Sequence, residues 1–215
     1  MDWPTIFSHM ESPRARGVIH LGANDGAEYE LYVRRGIFDQ IWFEPYPAPY
    51  ERLIRRLPPS VRIKTFKFDC GNENRLAEMT ILGGGRDESN SVLPPKLHLT
   101  YHPELPVVSK LMIRMVRLDD IFKNYAFDHA KYNLMVVDTQ GYELECLKGA
   151  EDHIRRAVDY IVPEVNAEEL YEGCPRIGDL DQWLGERKFK RVYTEWTGPH
   201  ESYGDALYVR EPKTP

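Results

Sequence analysis

Polar residues follow five short apolar segments of the sequence, and their types point to chemistry at one place. The turn Gly22–Gly26 comes directly after the segment GVIHL. The other four segments end in a carboxylate or a polar tetrapeptide, namely Glu44, Asp69, Asp138–Gly141 and Glu164. In an open parallel sheet, a ligand lies beyond the carboxyl ends of the strands, near the point where the strand order reverses. These segment ends therefore predict a single binding site.

The glycine turn and the next two carboxylates predict a nucleoside ligand. The spacing Gly22-x-x-x-Gly26 lacks the third glycine of the dinucleotide fingerprint, which disfavours a pyrophosphate group. Glu44 follows Gly22 by 22 residues, an offset at which a carboxylate accepts hydrogen bonds from ribose hydroxyls. Asp69 lies where it can contact an adenine amino group. Together these residues predict an adenosine ligand without a pyrophosphate, and S-adenosylmethionine is the obvious candidate.

The elements that must position these residues are short strands alternating with helices. This order is typical of a parallel sheet covered by helices on both faces. The predicted strands are Gly17–Leu21, Ile41–Phe43, Val61–Phe68, Ala77–Leu82, Leu134–Val137 and Tyr160–Val165, with regular structure resuming at Met115–Leu118 after the middle of the chain. The predicted helices are Ala27–Arg35, Pro47–Leu57, Asp119–Tyr125, Tyr142–Arg155 and Leu180–Glu186. Phe189–Trp196 and Ala206–Val209 predict an antiparallel hairpin.

Length and composition predict one domain, residues 17–210, with an N-terminal extension 1–16 and a tail 211–215. Residues 83–106 are rich in Gly, Ser, Asn, Pro and His without a steady period, and we expect them to form a lid-like loop. The net charge of −6 argues against a protein that coats nucleic acid. Three scattered cysteines, no membrane-length apolar run and no signal peptide lead us to expect a cytoplasmic protein. The oligomeric state stays open, a homodimer included.

Several strings of residues resemble the FkbM family of S-adenosylmethionine-dependent methyltransferases. The strings are VIHLGANDG, FEPYP, the SNS triplet, VRLDDI, VVDTQGYELECLKGA, IVPEV and GDALYVR. The most specific matches the family pattern D-x-x-G-x-E-x-x-x-L-K-G, and the resemblance covers Gly17 to Arg210. It implies a class I Rossmann-like α/β fold: a mostly parallel central sheet, helices on both faces and a C-terminal antiparallel hairpin. It also implies O-methylation of a hydroxyl on a sugar, glycan or secondary metabolite.

The resemblance also implies a set of cofactor-binding residues. Gly22, Asn24 and Gly26 would line the methionine part and Glu44 would hold the ribose. Asp69 and Cys70 would border the adenine, Ser89–Ser91 would close over the site, and Asp138 would face the reacting centre. His20 stands where the family usually has an acidic residue, so the contact with the cofactor's amino group differs here. The complete set is His20, Gly22, Ala23, Asn24, Asp25, Gly26, Glu44, Pro45, Asp69, Cys70, Ser89, Asn90, Ser91, Asp138, Thr139 and Gln140.

Methyl transfer to oxygen requires aligned reactants and removal of the hydroxyl proton. Asp138 is the first candidate for the base, and Glu143 and Glu164 are the next candidates. A Mg²⁺ ion held by Asp138, Glu164 and Asn166 is an alternative, but Val165 separates the last two ligands and we expect no metal.

Two other functions stay open on the sequence: a methyltransferase for a macromolecular acceptor, and a non-catalytic protein that binds S-adenosylmethionine. The negative charge and the absence of an Asn-Pro-Pro-Tyr-like tetrapeptide argue against a nucleic-acid acceptor, so a small molecule or glycan is expected. Trp196 and Tyr203 predict packing within the hairpin, or alternatively contact with an acceptor ring. His98 and His102 lie in a proline-rich loop, where a helical zinc site is not expected.

Overall fold

The main elements of the chain are ten strands and eight helices in the computed structural model, which describes residues 1–10, 14–85 and 87–212. The strands are β1 (Gly17–Leu21), β2 (Asp39–Phe43), β3 (Ile63–Phe66), β4 (Asp69–Cys70), β5 (Arg75–Leu82), β6 (Val107–Val116), β7 (Leu134–Val137), β8 (Tyr160–Asn166), β9 (Phe189–Trp196) and β10 (Tyr203–Arg210). The helices are α1 (Trp3–Ser8), α2 (Tyr29–Arg34), α3 (Pro47–Arg56), α4 (Leu97–Tyr101), α5 (Leu118–Asn124), α6 (Glu143–Gly149), α7 (Glu151–Ala157) and α8 (Ile177–Glu186). Short 3₁₀ turns cover Asp87–Ser89, His129–Lys131 and Pro199–Glu201.

Seven strands form the central sheet in the order β3-β2-β1-β7-β8-β10-β9. All neighbours up to β8 pair in parallel, whereas β10 runs antiparallel to both β8 and β9. This arrangement confirms the predicted Rossmann-like fold with a C-terminal hairpin. The strand order reverses between β1 and β7, whose last residues, Leu21 and Val137, are partners across the sheet. The residues that follow these two strands therefore lie side by side.

The sheet separates two hydrophobic cores, because side chains alternate between its faces. One core contains Ile19 of β1 and Met135 of β7 and packs beneath α5 to α8. The other contains Val18 of β1 and packs beneath α1, α2 and α3. Burial on both faces explains why β1 and β7 are continuous apolar runs rather than alternating ones. Trp3, Ile6 and Phe7 of α1 are buried in the second core, so the described part of the predicted extension packs against the domain.

A second, three-stranded sheet in the order β4-β6-β5 lies beside the first. The prediction that regular structure resumes at Met115 was wrong, because β6 already begins at Val107 and pairs along β5. The first half of β6 is exposed, with Val108, Lys110 and Met112 facing solvent, so it lacks the pattern of a buried strand. The predicted helix from Tyr142 to Arg155 is divided at Ala150 into α6 and α7.

Residues 83–106, here called the lid segment, connect β5 to β6. The prediction that this segment lacks regular structure was wrong in part, because the segment contains the turn Asp87–Ser89 and helix α4. Leu93, Leu97 and Tyr101 pack against the loop that contains Leu170 and Tyr171. The amide of Lys96 donates a hydrogen bond to the carbonyl of Leu170 at 2.7 Å. The segment is therefore docked on the loop after β8.

Parts of three predicted regions lie outside the described residues: 11–13 of the extension, Arg86 of the lid segment and 213–215 of the tail. Within the described part of the chain, the helices lack the length and apolar character that a membrane crossing requires.

We predict that Gly26→Ala destabilises the protein by about 1–2 kcal/mol. Gly26 has a φ of +72°, and a Cβ there would lie 2.5 Å from Cδ1 of the buried Leu53 on α3. Chemical denaturation of the purified variant measures the change. Gly178→Ala is the matched control, because nothing lies within 4 Å of its Cβ position in α8. It should leave stability equal or slightly higher. Equal stability of both variants would contradict the packing described for this turn.

Candidate functional site

Gly22 brings the turn after β1 against the end of β7. It has a φ of +74°, and a Cβ at this position would lie 1.7 Å from the carbonyl oxygen of Asp138. Only glycine fits such a close approach of two backbones. The amides of Gly22 and Ala23 both donate to the carbonyl of Phe43, at 3.0 and 2.9 Å. The turn is thus tied to the ends of both neighbouring strands.

Glu44 follows β2 and is held by the same turn. Its Oε2 accepts from the amide of Asn24 and its Oε1 accepts from the amide of Tyr46, both at 2.8 Å. The side chain is buried, and burial raises its pKa to about 7 although the two amides act in the opposite direction. Asp69 adds to this rise through its negative charge. The site therefore presents a rigid carboxylate at the end of β2.

Asp69 is the first residue of β4, directly after the connection from β3, and its side chain is also buried. Its Oδ1 accepts from the amide of Cys70 at 2.9 Å. Burial, together with the charge of Glu143, raises the pKa of Asp69 to about 7. In the absence of a ligand, two neighbouring buried carboxyls thus titrate near neutral pH.

The loop after β7 is stabilised from within by Glu143, the first residue of α6. Its Oε1 accepts from the amides of Thr139 and Gly141, both at 3.0 Å, and from the Thr139 hydroxyl at 3.3 Å. Glu143 is fully buried, and burial raises its pKa to about 7. The carboxyl therefore points into its own loop.

Two further carboxyls, Asp138 and Glu164, share one amide donor. Nε2 of Gln140 donates to Oδ1 of Asp138 at 2.7 Å and to Oε2 of Glu164 at 3.1 Å. Burial and the charge of Asp205 raise the pKa of Asp138 to about 8. Burial and the charge of Asp138 raise the pKa of Glu164 well above its ordinary value. The ends of β7 and β8 thus carry a coupled pair of carboxyls.

The SNS triplet of the lid segment reaches these strand ends. Ser91 Oγ donates to the carbonyl of Gln140 at 2.7 Å. Oδ1 of Asn90 accepts from the amide of Leu82 at 2.9 Å. Nδ2 of Asn90 is buried, and no hydrogen-bond partner is found for it among the described residues. A buried donor of this kind favours a bound acceptor atom.

These residues surround two adjoining cavities. The first, of about 70 Å³, is lined by Gly22, Asn24, Glu44, Pro45, Tyr46, Asp69, Met79, Asp87, Glu88, Asn90, Asp138, Thr139 and Gln140. The second, of about 210 Å³, is lined by Glu88, Ser89, His98, His102, Asp138, Gln140, Glu164, Leu170 and Tyr203. Glu88, Asp138 and Gln140 line both. A ligand in one cavity can therefore meet a ligand in the other at Asp138 and Gln140.

Nine of the sixteen predicted cofactor-binding residues line the first cavity, and seven do not. The side chain of His20 lies in the core instead, with Nδ1 3.1 Å from the Tyr32 hydroxyl and its ring stacked on Trp42. Asp25 is paired with Arg56 at 2.6 Å. The remaining five are Ala23, Gly26, Cys70, Ser89 and Ser91. Their positions have local reasons: Ala23 is buried in the second core, Gly26 packs on α3, Cys70 is fully buried, Ser89 lines the second cavity and Ser91 binds the Gln140 carbonyl.

The three predicted catalytic residues have different positions. Asp138 lines both cavities and Glu164 lines the second, whereas Glu143 lines neither. Asn166, the third ligand of the Mg²⁺ alternative, is buried and lines neither cavity. In the described part of the chain, no group of three or more His, Cys, Asp or Glu side chains could hold a metal ion.

Sequence analysis missed several lining residues. Tyr46 belongs to the FEPYP string, which could have indicated it. Met79 lies on β5 and carries no local signal. The others, Asp87, Glu88, His98, His102 and Leu170, carry none either, because the folding of the lid segment and of the loop after β8 brings them to the cavities. Tyr203, considered above for acceptor contact, lines the second cavity.

Comparison with known proteins adds the family. A model of the methyltransferase FkbM domain matches residues 20–191. No curated protein matches the chain in sequence. Among solved structures, the FkbM methyltransferase of Methylobacillus flagellatus is similar, with a TM-score of 0.59 and 17% identity. The match covers 91% of this chain and 43% of that protein, so the chain spans less than half of its length.

Two further solved structures show the same fold at low identity. Magnesium protoporphyrin IX methyltransferase of Synechocystis, with bound S-adenosylmethionine, has a TM-score of 0.52 and 10% identity over 97% of this chain and 77% of that one. A proposed tRNA (m1A22) methyltransferase of Streptococcus pneumoniae has a TM-score of 0.51 and 15% identity, and the match covers 99% of this chain and 73% of that one. Since their named acceptors differ, these likenesses support the fold and leave the acceptor open.

We predict that the ligand-free protein loses stability as the pH rises from 5 to 8. Asp69 has a folded pKa of about 7 against an ordinary value of 3.8, so the folded state binds more protons than the unfolded state between these values. The stabilisation is complete at acid pH and is lost as the pH rises through 7. In Asp69→Asn, the free energy of unfolding lost between pH 5 and pH 8 should be smaller by about 1–3 kcal/mol. Chemical denaturation at pH 5, 6, 7 and 8 measures it.

Glu172→Gln is the control for this series, since Glu172 is exposed in the loop after β8. It should leave the pH dependence of stability unchanged. An Asp69→Asn protein with the same pH dependence as the unsubstituted chain would contradict the assignment.

Proposed function

The chain belongs to the FkbM methyltransferase family, whose methyl donor is S-adenosylmethionine, and on this premise we propose that it methylates a hydroxyl of a small molecule or of a glycan residue. The observation that carries the proposal is the pair of adjoining cavities that share Asp138 and Gln140. The first is lined by strand-end carboxylates suited to a nucleoside. The second is a compact polar cavity in which an acceptor can reach the shared residues.

The first cavity has donors and acceptors that fit the cofactor. Glu44 would accept hydrogen bonds from the ribose hydroxyls, as a strand-end carboxylate does in related folds. Asp69 would contact the adenine, and Nδ2 of Asn90 offers a buried donor to it. Gly22 and Asn24 would lie along the methionine part. S-adenosylmethionine supplies, when bound, a methyl group activated by the positive charge on sulfur.

The lid segment would have to open for a ligand of this size. The cavity of about 70 Å³ is well below the roughly 300 Å³ at which ligand pockets begin. Asp87, Glu88 and Asn90, which line it, all belong to the lid segment. Outward movement of these residues would enlarge the cavity. This requirement supports the role of residues 83–106 as a lid.

The second cavity supports a small hydroxylated acceptor. Its volume of about 210 Å³ suits a single ring or a short chain. His98, His102, Ser89 and Tyr203 provide polar groups that can pair with hydroxyls. None of its described lining residues is a lysine or an arginine, the side chains that neutralise phosphates. These properties favour a sugar or secondary metabolite over a nucleic acid.

Asp138 is our first candidate for removal of the hydroxyl proton, because it lies at the junction of the cavities. Its pKa of about 8 makes it a stronger base than an ordinary aspartate once it is ionised. Glu164 is the second candidate, since it lines the acceptor side. For Glu143 we propose a positioning role instead, because its carboxyl accepts three hydrogen bonds from the loop that carries Asp138.

We predict that Glu44→Gln weakens binding of S-adenosylhomocysteine by about 10- to 100-fold, because a charged acceptor for the ribose hydroxyls is lost. Titration calorimetry measures the dissociation constant. Glu51→Gln is the matched control, since Glu51 is exposed on α3, and it should bind normally. If millimolar ligand fails to bind the unsubstituted chain, the proposed cofactor site is wrong.

We also predict that Asp138→Asn lowers methyl transfer by about 10²- to 10⁴-fold, the usual contribution of a general base. Transfer of labelled methyl groups into a fractionated metabolite and glycan extract identifies the acceptor first. The rate on that acceptor is then compared between the two proteins, with circular dichroism and thermal unfolding as the controls for folding.

The same experiment separates the alternatives. Tight cofactor binding without transfer to any hydroxylated compound would favour a non-catalytic binding protein. Transfer into the RNA or protein fraction of a whole-cell extract, labelled in parallel, would favour a macromolecular acceptor. Either result would overturn the proposed acceptor class.

A further inference from the structure

Gln140 lies where the two cavities meet, and it lines both. Its backbone has a φ of +54°, in the left-handed region that residues other than glycine rarely adopt. Such a conformation persists only where surrounding contacts enforce it, and it is most frequent at functional sites. Gln140 therefore calls for an explanation beyond its place in the lining.

The side-chain amide of Gln140 connects two carboxyls that would otherwise repel each other. The two N–H groups of Nε2 are directed at Asp138 and Glu164, at 2.7 and 3.1 Å. Oε1 accepts from the hydroxyl of Tyr171 at 2.9 Å. The hydroxyl of Tyr171 shares its one proton between this oxygen and the carbonyl of Ser89, and ionised carboxylates can only accept, so the nitrogen faces the two carboxyls. Tyr171 thus sets the orientation of the amide.

The same residue is bound to the lid segment from two sides. Its carbonyl accepts from the hydroxyl of Ser91 at 2.7 Å. The hydroxyl of Tyr171 also lies 3.1 Å from the carbonyl of Ser89. Displacement of Ser89–Ser91 would therefore remove contacts that hold both the backbone and the side chain of Gln140.

We propose that Gln140 is a positioning residue of the methyl-transfer reaction, whose amide aligns Asp138 and Glu164 at the junction of the cavities only while the lid segment is docked. The inference rests on the proposed function, because it assigns the pair to proton removal. The docked lid would enclose the reactants and, through Ser91 and Tyr171, keep the amide donors directed at both carboxyls.

Charge around the pair makes this donor important. The titratable groups that face it are Glu28, Glu88, Glu143, Asp205, Tyr171, His98 and His102. Burial raises the pKa of both carboxyls, and the charges of Glu143 and Asp205 act in the same direction, whereas the hydrogen bonds from Gln140 lower it. Removal of the amide should therefore make both carboxyls harder to ionise.

The test is a carbon-13 NMR titration of the carboxyl groups in the 215-residue, ligand-free chain. The signals are assigned with Asp138→Asn and Glu164→Gln. Gln140→Leu should raise the titration midpoint of the pair by about one pH unit, which is the loss of one charge-assisted hydrogen bond. Tyr171→Phe should give a smaller rise, and the double variant should match Gln140→Leu because both act through one amide. The pH profile of methyl transfer should move by the same amount.

Gln182→Leu is the matched control, since it removes a glutamine–glutamate hydrogen bond on the exposed side of α8. It should leave the titration of the pair unchanged. If Gln140→Leu does not fold, Gln140→Met replaces it and should also raise the midpoint, because it likewise removes the amide donors.

An unchanged midpoint in the folded Gln140 variants would overturn the positioning role. A titration midpoint that stays unchanged both in Tyr171→Phe and in Ser91→Ala would overturn the coupling to the lid segment. These NMR midpoints are measured without an acceptor. A chain that transfers no methyl group would therefore refute the proposed function separately from this test.

Discussion

The close approach of Gly22 to the carbonyl of Asp138 is the contact on which the site depends. A Cβ at this position would overlap that oxygen, so a glycine is required where the turn after β1 passes the end of β7. The amide of Asp138 also donates to the carbonyl of Leu21 at 3.0 Å, which keeps the two central strands paired to their last residues. The strand order reverses here, and Gly22 lines the first cavity while Asp138 lines both. The glycine turn and the polar loop after β7 therefore form one unit.

Negative charge is concentrated at this edge of the sheet. Glu44, Asp69, Asp138 and Glu164 lie within or between the cavities, and burial raises the pKa of each. Their remaining interactions differ: backbone amides hold the first two, and one side-chain amide serves the last two. The net charge of the chain consequently says little about its ligands. The arrangement of a few buried carboxyls decides which groups can bind and when they carry a proton.

Much of this architecture could be predicted from the sequence, and the failures have physical causes. β1 and β7 have the predicted bounds, because strands buried by helices are mostly apolar runs. β9 also has its predicted bounds, although it is an edge strand whose residues are mostly exposed or half-buried. The first half of β6 was missed because it faces solvent and lacks that pattern. His20 was assigned to the cofactor from its place before the turn, but its ring packs with Tyr32 and Trp42 on the α1–α3 side of the sheet. His98, His102 and Leu170, which line the second cavity, carried no common local signal.

The sequence by itself determined the family, the Rossmann-like fold and the strand-end residues of the first cavity. These features depend on short-range patterns: an apolar run, a glycine turn and the polar residue that follows a strand. Only the tertiary structure decided the second cavity and the network around Gln140. Tyr171 lies 31 residues from Gln140, and Ser91 lies 49 residues from it. Contacts over such distances arise from the docking of the lid segment on the loop after β8, and the packing of two irregular segments has no periodic signature in the residues that form it.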